Sequence, residues 1–197
     1  MIVRLATSNA GKLREFEALG ARAGWRFELP PGYIAPPEVG ATYAANAAIK
    51  ARALWSQFRE AGRPAAVLGD DSGLEIAALQ GRPGIRSARY GGTGAGWPER
   101  RRALLEELDR AQTPNRAARF VCALHFVGHD GLETSCEASY GGTIASGERG
   151  TFGFSYDAIF VDPETGRTFA ELPADEKDAK SHRARAFASL VERIHAG

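Results

Sequence analysis

Apolar residues along the chain follow two rhythms, and their alternation predicts an α/β order. Residues 2–6 and 25–29 are short apolar runs that read as strands. Between them Leu13, Phe16 and Leu19 recur at near-helical spacing. Pro30, Pro31, Pro36 and Pro37 then enforce an irregular connection. Ala44, Ala47, Ala48, Ala51, Leu54, Trp55 and Phe58 form the apolar stripe of a second helix, with Thr42 as its cap. Residues 65–68 predict a buried strand that stops at Asp70 and Asp71, with a turn at Ser72-Gly73. A third helix opens at Pro98-Glu99 and buries Ala103, Leu104, Leu105 and Leu108. Residues 117–127 and 132–140 are long strands flanking His129-Asp130-Gly131, which predicts an antiparallel hairpin. Gly141-Gly142 begins a loop-rich region. Residues 158–161 and 167–170 follow as short strands, and the last helix turns Phe187, Leu190, Val191 and Ile194 to one side.

Composition narrows the class. At 197 residues the chain is one large domain or two small lobes, 44% apolar and 25% charged. The net charge is +1 with no block of one sign, which does not favour a nucleic-acid polymer or an anionic membrane as partner. The densest basic run, Arg100 to Arg102, lies among glutamates and reads as a solvated helix face. No stretch approaches the roughly 18 apolar residues of a membrane span. Cys122 and Cys136 fall in strand-like runs and read as reduced core thiols, so a cytoplasmic location is expected.

Three places carry candidate chemistry. The turn from Thr7 to Lys12 links a strand to a helix, and a helix N-terminus with a lysine beside it suits a phosphate. Capping by Ser8 or Asn9 accounts for that turn equally well. Asn46 and Lys50, four apart, share one helix face. Asp70 and Asp71 put two acids at the end of a strand, where open α/β sheets place ligands. Adjacent acids repel unless a cation or donors neutralise them, and a solvated Asp-Asp turn is the alternative.

The order of these clusters is more telling than any one of them. Thr7-Ser8-Asn9-Ala10-Gly11-Lys12, Glu38 ahead of Asn46-Ala47-Ala48-x-Lys50-Ala51, and Asp70-Asp71-Ser72-Gly73-Leu74 come first. Pro83-Gly84-x-x-Ser87-Ala88-Arg89-Tyr90, Gly153-Phe154-x-Tyr156-Asp157, Glu176-Lys177 and Ser181-His182-Arg183 follow. Together, over residues 2–187, they resemble the inosine/xanthosine triphosphate pyrophosphatase family, the XTP/dITP diphosphatases.

That resemblance implies a mixed central sheet flanked by helices, in two lobes with a substrate groove between them, as one domain over 1–197 and in a homodimer. It implies Mg²⁺-dependent hydrolysis of the purine triphosphates dITP, ITP and XTP to a monophosphate and pyrophosphate. Thr7, Ser8, Asn9, Ala10, Gly11 and Lys12 match the triphosphate-binding turn. Asp71 matches the catalytic base and a magnesium ligand, Glu38 a second acidic position, and Ser72 a substrate contact. Phe154, Ser155, Tyr156, Asp157, Lys177, His182 and Arg183 match the segments that hold the nucleotide. Asp70 is of the residue type that would join Glu38 and Asp71 around Mg²⁺. Lys12, the amides of the 8–12 turn and Lys50 would stabilise the departing phosphates. Phe154 would stack on the base, while Arg183 or a backbone N–H would suit O6 and Asp157 or a carbonyl would suit N1–H. Ser155, Ala158 and Ala45 depart from the family pattern, where Gly, Pro and an acid are usual. A pyrimidine triphosphate pyrophosphatase and a nucleotide sensor without turnover share much of this pattern; intact Asp71, Lys12 and Glu38 argue against the sensor.

Overall fold

A computed structural model describes residues 1–92 and 94–196. Six strands and five α-helices occur among them: β1 Ile2–Leu5, α1 Ala10–Ala23, β2 Arg26–Glu28, α2 Tyr43–Glu60, β3 Ala66–Ile76, α3 Trp97–Arg110, β4 Ala117–Val127, β5 Glu133–Ile144, β6 Phe160–Val161, α4 Ala174–Asp178 and α5 His182–Ala196. The strands form a mixed sheet in the order β2-β1-β3-β4-β5-β6. β1 pairs in parallel with β2 and β3, and β5 pairs antiparallel with β6. The expected mixed α/β class holds.

The chain divides into two compact units, and the division passes through β3, β4 and β5. Unit 1 holds Met1–Asp71, Cys122–Ala138 and the segment from His182 onward. Its core centres on Phe16, Trp25, Phe27 and Phe187, with Trp25 edge-on to Phe187 at 5.3 Å between ring centroids. Burying such a ring contributes roughly 2–3 kcal/mol. Cys122 and Cys136 are free, buried thiols in the same core. Unit 2 holds Ser72–Val121 and Ser139–Ser181, with a core of its own around Leu104, Phe120, Phe160 and Phe169. No helix among the described residues is long and apolar enough to cross a membrane.

Three local expectations need correction. β3 does not turn at Ser72-Gly73; it runs on through Leu74 and Ile76, both fully buried, because apolar burial outweighs the local turn signal. β5 continues through Gly141-Gly142 to Ile144, because pairing with β6 uses Thr143 and Ile144. Residues 167–170 are not a strand. Thr168 and Glu171 form a capping box, and Phe169–Glu171 coils into a 3₁₀ turn instead. The hairpin between β4 and β5 forms as expected, closed by Gly128 N–H to the Leu132 carbonyl at 2.9 Å.

Candidate active site

Because β3 stays extended, Asp70 and Asp71 point to opposite faces of the strand. Each therefore gathers its own partners in unit 1. The pleat turns one pair of repelling acids into two separate sites.

On one face Asp70 is 1% exposed and surrounded by donors. Lys12 ion-pairs with its Oδ1, while Arg183 Nε (3.0 Å) and the Cys122 thiol (3.3 Å) donate to Oδ2. Burial alone would push this carboxyl up. The charges of Arg183 and Lys12 outweigh it and hold the group far below the usual carboxylate range. Arg183 is itself buried and pairs with Glu15 from α1. Arg183, expected at the base edge, is thus committed to two carboxylates.

On the other face Asp71 meets α2. The helix lies so close that a Cβ at Gly69 would collide with the Ala47 carbonyl oxygen, so β3 needs glycine there. This contact delivers Asn46 and Lys50 to Asp71, as their shared face requires. Lys50 Nζ donates to Asp71 Oδ1 at 2.7 Å and Asn46 Nδ2 to Oδ2 at 3.2 Å. Lys50 Nζ also lies 2.5 Å from Glu38 Oε1. Asn46 Oδ1 accepts the Gly40 N–H at 2.8 Å, which pins the loop that carries Glu38. Burial pushes the Asp71 carboxyl above its ordinary value despite Lys50.

The Thr7–Lys12 turn is tied up by its own side chains. Asn9 caps α1, its Oδ1 accepting from the Gly11 and Lys12 amides at 2.8 and 3.3 Å, and Thr7 Oγ1 accepts from the Asn9 amide at 3.1 Å. Of the groups expected to meet phosphate here, the Gly11 and Lys12 amides are capped, Lys12 pairs with Asp70, and Ser8 is exposed.

Unit 2 carries a second constellation. Asp157 Oδ2 accepts from the Phe154 amide (2.9 Å) and from Lys177 Nζ (2.5 Å). Lys177 also sits over the Phe154 ring at 5.1 Å. A cavity of about 190 Å³ is lined by Arg101, Phe152, Phe154, Ser155 and Asp157 among others. Phe152 is 58% exposed. Ser155 stands at φ 61°, a left-handed conformation that costs a non-glycine residue roughly 1–2 kcal/mol. Arg101 Nη1 donates to the Ser155 carbonyl at 2.8 Å.

Tyr156 is fully buried in the unit 2 core, its hydroxyl donating to the Ser87 carbonyl at 2.9 Å and its ring edge-on to Trp97. Ser72 begins unit 2 within β3, and His182 opens α5 in unit 1, 5% exposed. Glu15, Arg101 and Glu148 are partners the sequence reading left out of the site, whereas the four-residue spacing of Asn46 and Lys50 had placed Asn46 among the candidates.

The donor set bears on a metal ion. Among the described residues no three His, Cys, Asp or Glu side chains converge on one point. Glu38 and Asp71 do converge, on a single ammonium. Mg²⁺ takes hard oxygen ligands, commonly one or two carboxylates with phosphates and water, so this pair fits it. Asp70 does not share that point.

A model of the Ham1 family matches residues 3–193. The dITP/XTP pyrophosphatase of Methylococcus capsulatus is 41% identical over 198 residues, covering 98% of this chain and 95% of that protein. The protein of the same name from Geobacillus kaustophilus is 45% identical over 192 residues, covering 95% and 91%. Among solved structures, a HAM1 protein from Coxiella burnetii is similar with a TM-score of 0.86 and 36% identity, covering 100% of both chains. A nucleoside-triphosphatase / dITP/XTP pyrophosphatase from Mycobacterium abscessus is similar with a TM-score of 0.71 and 37% identity, covering 96% of this chain and 97% of that one.

Proposed function

The chain belongs to the Ham1 family, and from that premise we propose that it hydrolyses the deaminated purine triphosphates dITP, ITP and XTP to monophosphate and pyrophosphate. The observation that carries the proposal is the division of labour along β3. Asp71 is kept basic beside Lys50 and Glu38, while Asp70 holds Lys12 and Arg183.

In this reading Asp71 accepts a proton from the water that attacks the α-phosphorus, and Asn46 fixes the carboxylate for that task. Lys12 and Ser8 receive the departing phosphates; Asp70 serves to orient Lys12 and is not a metal ligand. Glu38 and Asp71 would hold Mg²⁺, which when bound neutralises phosphate charge and orients the phosphate chain. The 153–157 turn and Lys177 are assigned to the nucleoside end. Phe154 is the stacking surface, and the 153–157 turn with Lys177 reads the C6 keto and N1–H edge. A polar site that matches that edge rejects adenine by leaving buried groups unpaired. The reading includes action as a cytoplasmic homodimer.

Incubation of the purified protein with MgCl₂ and ITP, XTP, ATP or dTTP, followed by ³¹P NMR, tests the proposal. IMP and pyrophosphate should form from ITP, with little use of ATP or dTTP. Orthophosphate as the first product, or an inert protein, would overturn it. Equal use of dTTP would favour the pyrimidine alternative.

A further inference from the structure

The left-handed Ser155 lies within the turn that reads the base in the function proposed above, on which this inference rests. Serine relaxes toward negative φ unless its surroundings hold it, and here the holder comes from α3. Arg101 Nη1 donates to the Ser155 carbonyl at 2.8 Å, and Nη2 donates to Glu148 Oε2 at 2.9 Å. The Arg101 side chain is only 13% exposed, so the second bond fixes a guanidinium that has little room to swing. Its Nε is buried without a hydrogen-bond partner, and the residue lines the same cavity of about 190 Å³ as Phe154, Ser155 and Asp157.

We infer that Arg101, steered by Glu148, is a positioning residue that locks the 153–157 turn in its base-reading conformation and thereby sets the discrimination between keto and amino purines. Asp157 holds the same turn from within, through the Phe154 amide. The two anchors grip the 153–154 and 155–156 peptides, on either side of the one that joins Phe154 to Ser155. Removing the outer one frees the Ser155 peptide to rotate and shifts the donors and acceptors that meet the base. Recognition of this kind fails when groups move by about half an ångström. The loss should fall on substrate binding and specificity, because the groups assigned to the chemical step lie in unit 1.

The test combines Arg101→Ala, Arg101→Lys and the double variant Arg101→Ala/Ser155→Gly in the full chain. It uses steady-state kinetics on ITP and ATP with Mg²⁺, and amide hydrogen exchange without nucleotide. Arg101→Ala should raise KM for ITP about tenfold and lower the ITP to ATP ratio of kcat/KM about tenfold, with kcat for ITP within about threefold. Exchange across residues 153–157 should quicken about tenfold while the rest of the chain is unchanged. Lysine keeps one donor for the Ser155 carbonyl and should fall between. Glycine takes positive φ without a clamp, so the double variant should regain much of the ratio. Two results overturn the inference: exchange and ratio both within about twofold of wild type, or an equal fall in kcat for both substrates at unchanged KM. A wild type that does not prefer ITP defeats the specificity role and the proposed function together, while exchange still decides whether Arg101 anchors the turn.

Discussion

Replacing Arg183 by methionine probes the charge balance on which the Asp70 face depends. Arg183 is 2% exposed between Asp70 at 1% and Glu15 at 8%. Opposite charges about 4 Å apart attract by roughly 4 kcal/mol at an effective dielectric near 20. Methionine keeps much of the volume and removes the charge, so Glu15 loses Arg183 and Asp70 keeps Lys12. Breaking a buried pair from one side costs about 3–5 kcal/mol, and with Lys12 still in place we expect about 4 kcal/mol at pH 8. For a urea slope near 2 kcal/mol/M, the unfolding midpoint by circular dichroism should drop by roughly 2 M.

The pH dependence identifies the cause. In the wild type, Asp70 is held well below its ordinary value, so its contribution is already complete at neutral pH. In Arg183→Met, burial faces less opposing charge, and the carboxyl of Asp70 should rise above its unfolded value of about 3.9. A group whose folded pKa is raised contributes stability that is present at low pH and lost as pH climbs through that pKa. The deficit should therefore shrink from pH 8 to pH 5. Adding Glu15→Gln to the variant removes the carboxylate that Arg183 served and should recover much of the loss. A midpoint within about 0.5 M of wild type at pH 8, or a deficit that stays constant with pH, would refute the reasoning.

Other expectations follow from the same contacts. Asp71→Asn should lower kcat for ITP by about 10²–10⁴ while a non-hydrolysable triphosphate still binds, as measured by calorimetry; a variant with undiminished turnover would remove Asp71 from its role. Asn46→Ala frees one oxygen of Asp71 and unpins the Gly40 amide, so kcat should fall about tenfold with the fold intact by circular dichroism. In unit 2, Asp162 lies in a buried site that would push its carboxyl up. Bonds from Lys180, Tyr140 and Thr165 overcome this and hold it down at about 2. A depressed carboxylate contributes stability above its unfolded pKa and loses it as pH falls, so roughly 2 kcal/mol should vanish between about pH 4 and pH 2. Acid titration of Asp162→Asn, which lacks this contribution at any pH, should show a correspondingly flatter profile.

The parts legible in the sequence are those set by neighbours a few residues apart. The apolar stripe from Ala44 to Phe58 predicted α2, and the four-residue spacing put Asn46 beside Lys50 before any partner was known. The hairpin after Val127 was equally local. What stayed hidden depends on distant chain. Ser72-Gly73 reads as a turn to anyone who cannot see that Leu74 and Ile76 have a core to enter. Arg101 looks like one of three solvated arginines until Glu148 and Ser155, far along the chain, arrive beside it. Arg183 sits in a motif that resembles a nucleotide-binding segment, yet its geometry ties it to Glu15 and Asp70. Tyr156 shares its motif with Phe154 and Asp157 but packs against Trp97 in the core. A motif fixes which residues lie near one another; it does not say which of them carry the packing.

The continuity of β3 ties these corrections together. Had the strand turned after Asp71, both carboxylates could have faced one ligand, and their repulsion would have needed that ligand to hold it down. Extended backbone separates them by alternation, so neither carboxylate needs a bound cation to offset the other. Asp70 is neutralised by Lys12 and Arg183, one of which is always charged and fully enclosed, so its surroundings are fixed. Asp71 shares one buried lysine with Glu38, and its ammonium is a compact point charge that a divalent cation would have to displace. In the proposed reaction the first arrangement aims Lys12 at the phosphates, and the second exchanges its cation and accepts a proton. Two adjacent letters in the sequence thus take unlike parts because the strand does not bend between them.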